Sequence, residues 1–305
     1  MRYRLTINPG TNSMQSRTTG FHFKTTTRPP NDTLNSRLHR YRLRSSPSHH
    51  SLPQEHLIVT TTRKPTGYVI YSGPSLLDGK PIVAIALTGS TNRKTGNMVQ
   101  TYILADNRER PTVNLKNGAD ASICGDCKHR PANGGSCYVV VAQGPTAVWK
   151  TLEAGKYPIA QDISALGAGR MVRLGTYGDP AAVPASVWQA LVSKATGRTG
   201  YTHQWATGKG SAPELRSLVM ASADTEAEAI DAQSQGWRTF RVRVASDAML
   251  PRESVCPASE EAGKLTTCDH CGLCNGAAGR RGSVAIIVHG STASRYIAIR
   301  SLSAA

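Results

Sequence analysis

Seven cysteines constrain this chain more than any other feature, because they fall into two short stretches of its 305 residues. Cys124, Cys127 and Cys137 form a C-x2-C-x9-C group, and Cys256, Cys268, Cys271 and Cys274 form a C-x11-C-x2-C-x2-C group. A thiol used only for packing behaves as a small buried hydrophobe and would be scattered through the core. These sulfurs instead sit among Gly, Asp, Asn and Pro, in loops tight enough to turn several thiolates toward one ion or cluster. A disulfide framework suits short secreted chains, and an odd count leaves one thiol unpaired. No apolar segment at the start reads as a secretory signal. The expectation is metal chemistry, with all seven cysteines as ligands.

Zinc and iron–sulfur differ in the spacing they favour. Structural zinc prefers two separated C-x2-C pairs that close a tetrahedron. The run Cys268, Cys271, Cys274 has thiols at successive x2 intervals with Cys256 arriving from upstream, like the C-x2-C-x2-C run of bacterial ferredoxins. The first group supplies three sulfurs, which leaves one iron of a [4Fe–4S] cluster open. His129, two residues after Cys127, is the candidate fourth ligand if the metal is zinc. One or two [4Fe–4S] clusters are the leading expectation and zinc the alternative.

Charge divides the chain. Of the formal +16, residues 1–66 carry +9, with eleven Lys or Arg against Asp32 and Glu55. This stretch is rich in Thr, Ser, Pro and Asn and has no sustained period, so it buries too little apolar surface to offset its ordering entropy. It is expected to be a disordered basic extension, with nucleic acid as its candidate partner. An extension without a structured role and an organellar transit peptide are the other readings. No run of apolar residues is long enough to span a membrane.

From about residue 67 to 305 the pattern is α/β. Strands are expected at 82–88, 99–105, 171–175, 200–203, 217–221, 238–244 and 284–289, from β-rich runs between turn residues. Helices are expected at 145–153, 184–196 and 225–235; the last opens with the capping box Thr225-x-x-Glu228. Alternation at this spacing predicts right-handed βα units, a parallel sheet and a partial (β/α) barrel. Ligands of such folds bind where the strands end. The first cysteine group follows the strand 99–105 and the second, within the cysteine-rich segment 250–280, follows 238–244, so both are expected on that rim. Gly178 and Asp179, after the strand 171–175, join it as candidate cofactor-binding residues: glycine admits close approach and the carboxylate accepts from an ammonium. His203, His289 and Asp224 end further strands; the histidines are read as structural and Asp224 as a helix-entry residue.

Residues from about 90 to 290 resemble a bacteriophage family, the gene product 88-like proteins. The resemblance rests on Cys124 through Cys137-Tyr138, Arg173-x4-Gly178-Asp179, Tyr201-Thr202, Cys256-Pro257-Ala258, Cys268-x2-Cys271-Gly272-Leu273-Cys274 and His289-Gly290. It implies a phage or prophage product of the bacterial cytoplasm and carries no activity with it. More distantly, the order of features resembles radical S-adenosylmethionine enzymes, which have three cysteines after the first strand and a Gly-Gly-Glu-Pro-like motif, here Gly178-Asp179-Pro180, after the second. That family uses C-x3-C-x2-C where this chain has C-x2-C-x9-C. The likeness implies a cluster bound by Cys124, Cys127 and Cys137, S-adenosylmethionine contacted by Gly178 and Asp179, and a second cluster on the C-terminal cysteines. The substrate is not legible. The rival expectations are a zinc-stabilised nucleic-acid-binding protein and an interaction protein without turnover. Against the former, aromatic residues are only 6% of the chain and do not interleave with a charge stripe, as single-strand binding requires.

Overall fold

The computed structural model describes residues 64–90, 92–206, 213–277 and 281–303. They belong to a compact unit running from Thr61 to Ala305. The basic extension expected at 1–66 therefore lies outside the described residues, except for Lys64, Pro65 and Thr66.

Nine strands form one sheet in a mixed α/β fold. They are β1 (Gly67–Pro74), β2 (Pro81–Leu87), β3 (Val99–Ala105), β4 (Met171–Tyr177), β5 (Gly197–Thr202), β6 (Met220–Ala223), β7 (Thr239–Arg243), β8 (Glu253–Val255) and β9 (Ser283–Ile287). The spatial order is β1-β2-β3-β4-β5-β6-β7-β9-β8. The first three strands make an antiparallel meander, and every pairing from β3 onward is parallel. The sheet is open at β1 and β8, so the observed architecture is a mostly parallel sheet with an antiparallel edge.

Local sequence explains most of these elements. β2 and β3 are almost wholly buried, as their near-continuous apolar runs require of strands covered on both faces. The helix Gly144–Glu153 turns Val148 inward, and Ala185–Val192 buries Trp188 and Leu191. The indole N–H of Trp188 donates to the Pro180 carbonyl at 2.9 Å, so its large apolar body is buried without an unpaired donor. Glu226–Ser234 is capped by Thr225, whose hydroxyl accepts from the Glu228 N–H at 3.1 Å. The Glu228 carboxylate does not close a capping box on Thr225; it accepts from the Asp224 N–H at 2.7 Å.

Four features depart from the sequence expectation. β1 precedes the first expected strand and makes the sheet's edge antiparallel, and β8 is a three-residue strand between β7 and β9. The strand expected at 217–221 begins at Met220, because Pro213–Leu218 is a helix. Proline at a first helical turn and a short apolar run are compatible with either state until packing decides. Helices Pro111–Asn117 and Ala293–Ser303 were not foreseen. Among the described residues no helix is long and apolar enough to cross a membrane.

Candidate functional site

A cavity of about 950 Å³ lies against one face of the sheet. Alternate residues of successive strands line it: Arg173 and Gly175 from β4, Thr199 and Tyr201 from β5, Phe240 and Val242 from β7. That is the period of two by which a strand presents one face. Loops after the strands add Gly178, Asp179, His203, Asp224 and His289. All seven cysteines line the same cavity, and all are free thiols.

The first cysteine loop is folded around a buried arginine. Arg130 grips Asp120 with two bonds, at 2.9 and 2.7 Å, and donates to the carbonyls of Gly125 (2.7 Å) and Gly118 (3.0 Å). The Cys127 N–H donates to the Cys124 carbonyl at 3.2 Å and the Cys137 N–H to the His129 carbonyl at 3.0 Å, which brings the distant third cysteine back to the pair. The backbone N–H of His129 points at the Cys127 sulfur and that of Val139 at the Cys137 sulfur. Such bonds favour the thiolate. Burial opposes them: it pushes Cys127 up to about 12 and raises Cys124 well above the usual thiol range, reinforced there by the neighbouring Cys127 and Cys137.

The second group occupies a different part of the cavity from the one expected. Cys256 follows β8 and pairs its N–H with the Ala285 carbonyl at 2.8 Å. The rest of the loop folds back to the start of β4 and the middle of β5. The Gly200 N–H donates to the Cys274 carbonyl at 3.2 Å, and a Cβ on Gly272 would lie 3.6 Å from the Met171 methyl. The β2–β3 loop clasps the short helix Cys268–Cys271: Cys268 N–H donates to the Lys94 carbonyl at 3.0 Å, and the Asp269 carboxylate accepts from Asn97 N–H at 3.0 Å. The two groups thus face one cavity, the first beside the loops after β4 and β6 and most of the second beside the start of β4 and the middle of β5, instead of sharing one rim. Burial pushes Cys274 up to about 12, against a hydrogen bond from the Tyr201 hydroxyl.

Gly178 and Asp179 both line the cavity, and the fold already uses both. Gly178 has φ +83°, and a Cβ there would stand 2.7 Å from that of Ile103 on β3. Asp179 is 6% exposed; its Oδ1 accepts from Ala181 N–H (3.0 Å) and the Thr202 hydroxyl (2.7 Å), and its Oδ2 from His203 N–H (2.7 Å). These bonds tie the end of β4 to the end of β5. Oδ2, holding a single bond, keeps acceptor capacity on the cavity side.

A polar cluster not foreseen from sequence surrounds Asp224. Its Oδ2 lies 2.8 Å from both His129 Nε2 and Lys128 Nζ, and its Oδ1 lies 3.2 Å from the Tyr296 hydroxyl, which donates to the Val242 carbonyl at 2.7 Å. His129 Nδ1 lies 2.6 Å from Ser136 Oγ, so both its ring nitrogens are engaged within the protein. His203 packs edge-on against His129, with ring centroids 5.2 Å apart. Nothing local marks Tyr296, which reaches the cluster from a helix more than seventy residues downstream of Asp224. His289 is at the cavity mouth, its Nε2 3.5 Å from Lys94 Nζ.

The donor chemistry suits a metal or cluster: soft, reduced sulfurs, grouped, with backbone N–H bonds to three of them. Among the described residues no group of three or more His, Cys, Asp or Glu side chains stands in an arrangement that holds a metal ion. No protein-family model, curated protein or solved structure matches this chain.

Proposed function

We propose that the protein is an iron–sulfur protein whose two cysteine groups serve one substrate cavity, acting as a divergent S-adenosylmethionine-dependent radical enzyme. The observation that carries this reading is the convergence of all seven free thiols, from segments more than a hundred residues apart, on that cavity. Structural zinc sites have no need to share a large void, whereas reactive clusters must face their substrate. The engagement of both His129 nitrogens favours three thiols, with no histidine, as the first ligand set. The parallel strands run in chain order from β3 to β7 and present alternate residues to the cavity, which supports a partial barrel.

On this reading Cys124, Cys127 and Cys137 would hold one [4Fe–4S] cluster, and Cys256, Cys268, Cys271 and Cys274 a second. When bound, the first would supply a single electron for cleaving the sulfonium of S-adenosylmethionine. The chain's own part is binding and exclusion of water. Metal binding displaces protons from the ligand thiols, so these buried sites release protons on loading. Asp179 Oδ2 would accept from the cofactor's ammonium, beside the backbone at Gly178. The resemblance to the phage family supports the cytoplasm of a bacterial host as the working compartment.

Anaerobic purification or reconstitution, followed by iron, sulfide and zinc analysis, tests the proposal. Brown protein with iron and acid-labile sulfide is expected, part of it lost in Cys127→Ala. Reduced, unmodified protein should release 5′-deoxyadenosine slowly from S-adenosylmethionine, and Cys127→Ala should not. Stoichiometric zinc without sulfide would overturn the reading in favour of a zinc-stabilised binding protein.

A further inference from the structure

Among the described residues, the buried arginines are, with one exception, held by a carboxylate or by several carbonyl and amide oxygens, although the Arg243 Nε itself has no partner. Arg130 pairs with Asp120, Arg241 with Glu253 and Arg243 with Glu261. Arg238 makes four bonds to the Gly276 and Gly282 carbonyls and the Asn275 side chain. Arg173, on β4, is the exception. It is 9% exposed and makes one hydrogen bond, from Nη2 to the Tyr138 hydroxyl at 3.1 Å. Its guanidinium lies over the Tyr201 ring at 5.4 Å. No carboxylate among the described residues pairs with it. A buried cation is costly without an opposite charge, and a guanidinium has five N–H donors arranged to grip a carboxylate or phosphate.

A second observation points to the same place. Thr199 is the direct partner of Arg173 on β5 and lines the same cavity. Its hydroxyl is buried, the residue being 3% exposed, and has no hydrogen-bond partner. A buried unpartnered hydroxyl beside a buried unpaired cation is an incomplete polar site, and one oxyanion would satisfy both groups.

We propose that Arg173 and Thr199 bind an oxyanion of the substrate, a carboxylate or phosphate, in the cavity. Tyr138 orients the guanidinium from one side and Tyr201 supports its face. Tyr138 follows Cys137 of the first group, and Cys268 and Cys274 of the second lie near the guanidinium, so the site adjoins both cysteine groups. The inference names the substrate class for the proposed function. It rests on that reading for the word substrate, but the binding site itself needs no cluster.

The competing role for Arg173 is that of counter-charge to the thiolates of Cys268 and Cys274, which lie near it. Titration calorimetry on the full chain, as purified and after metal loading, separates the two roles. The probes are inorganic phosphate and succinate, with metal and sulfide measured on each sample. Saturable binding of at least one probe is expected, weakened about tenfold or more in Arg173→Met and several-fold in Thr199→Val, as for loss of charge-assisted hydrogen bonds. Arg173→Lys should keep part of the affinity and, with Thr199→Val, carries the test if Arg173→Met does not fold. Preference for one probe identifies the anion. Unchanged affinity in all variants, or no saturable binding of either probe by the unmodified chain, overturns the proposal. So does loss of metal from the second cysteine group in Arg173→Lys with anion affinity intact. Protein that contains zinc without sulfide yet binds the anion through Arg173 defeats the iron–sulfur reading and leaves the anion site standing.

Discussion

Asp224 shows how one side chain can organise a site without touching its reactive atoms. Burial raises the carboxyl pKa, but the hydrogen bond to His129 and the Lys128 ammonium outweigh it and hold the group well below the usual carboxylate range. An acid with a lowered folded pKa takes up protons more readily unfolded. Its stabilising contribution is therefore present above the ordinary carboxylate range and is lost as the pH falls through that range toward the folded value. Asp224→Ala should destabilise the protein by about 1–3 kcal/mol at neutral pH, since it takes away the partner of the half-buried His129 Nε2. The deficit should shrink in urea unfolding followed down to acid pH. A variant whose stability parallels the unmodified protein across that range would show that the cluster contributes nothing. Asp179 needs a different reading, because its three internal bonds make it structural whatever ligand it also meets. Loss of cofactor binding in Asp179→Ala is thus informative only beside a measurement of folding.

Among the elements, the turn from β4 into Pro180–Ala182 is the tightest joint near the site. Gly175 and Gly178 both have positive φ, and Gly178 sits against β3. Gly178, expected to admit a ligand, lines the cavity, and its missing Cβ is also required by Ile103. Gly178→Ala should cost about 1–3 kcal/mol from backbone strain alone, with overpacking against Ile103 added. Thermal unfolding would check it, and an unchanged midpoint would mean that the turn relaxes freely. The second cysteine group depends on another joint, the β2–β3 loop that clasps Asp269 and Cys268 through Asn97 and Lys94. No local pattern announces this clasp. Its partners are some 170 residues apart, and only the folded sheet brings them together.

At the scale of the whole molecule, the described unit begins just before β1. The Thr66 carbonyl accepts from the N–H groups of Thr88 and Gly89, at 2.9 and 3.3 Å. A chain started at Lys64 should accordingly keep its unfolding midpoint and metal content, whereas one started after Thr66 should lose a little stability at the sheet edge. A large loss of either property in the longer chain would show that residues 1–63 pack on the fold. What the sequence determined by itself was local: which cysteines are grouped along the chain, where strands β3 and β4 lie, and where Thr225 starts a helix. These rest on spacing, period and capping, which a chain carries without its neighbours. Tertiary structure alone decided that β1 and β2 run antiparallel, that Pro213–Leu218 is helical and that the second cysteine loop returns to the start of β4 and the middle of β5. It also decided that Thr199, its hydroxyl without a hydrogen-bond partner, stands beside Arg173, whose one hydrogen bond goes to Tyr138. Those outcomes depend on strand register and on which buried groups find a complement, and both are set by contacts between segments far apart in the chain.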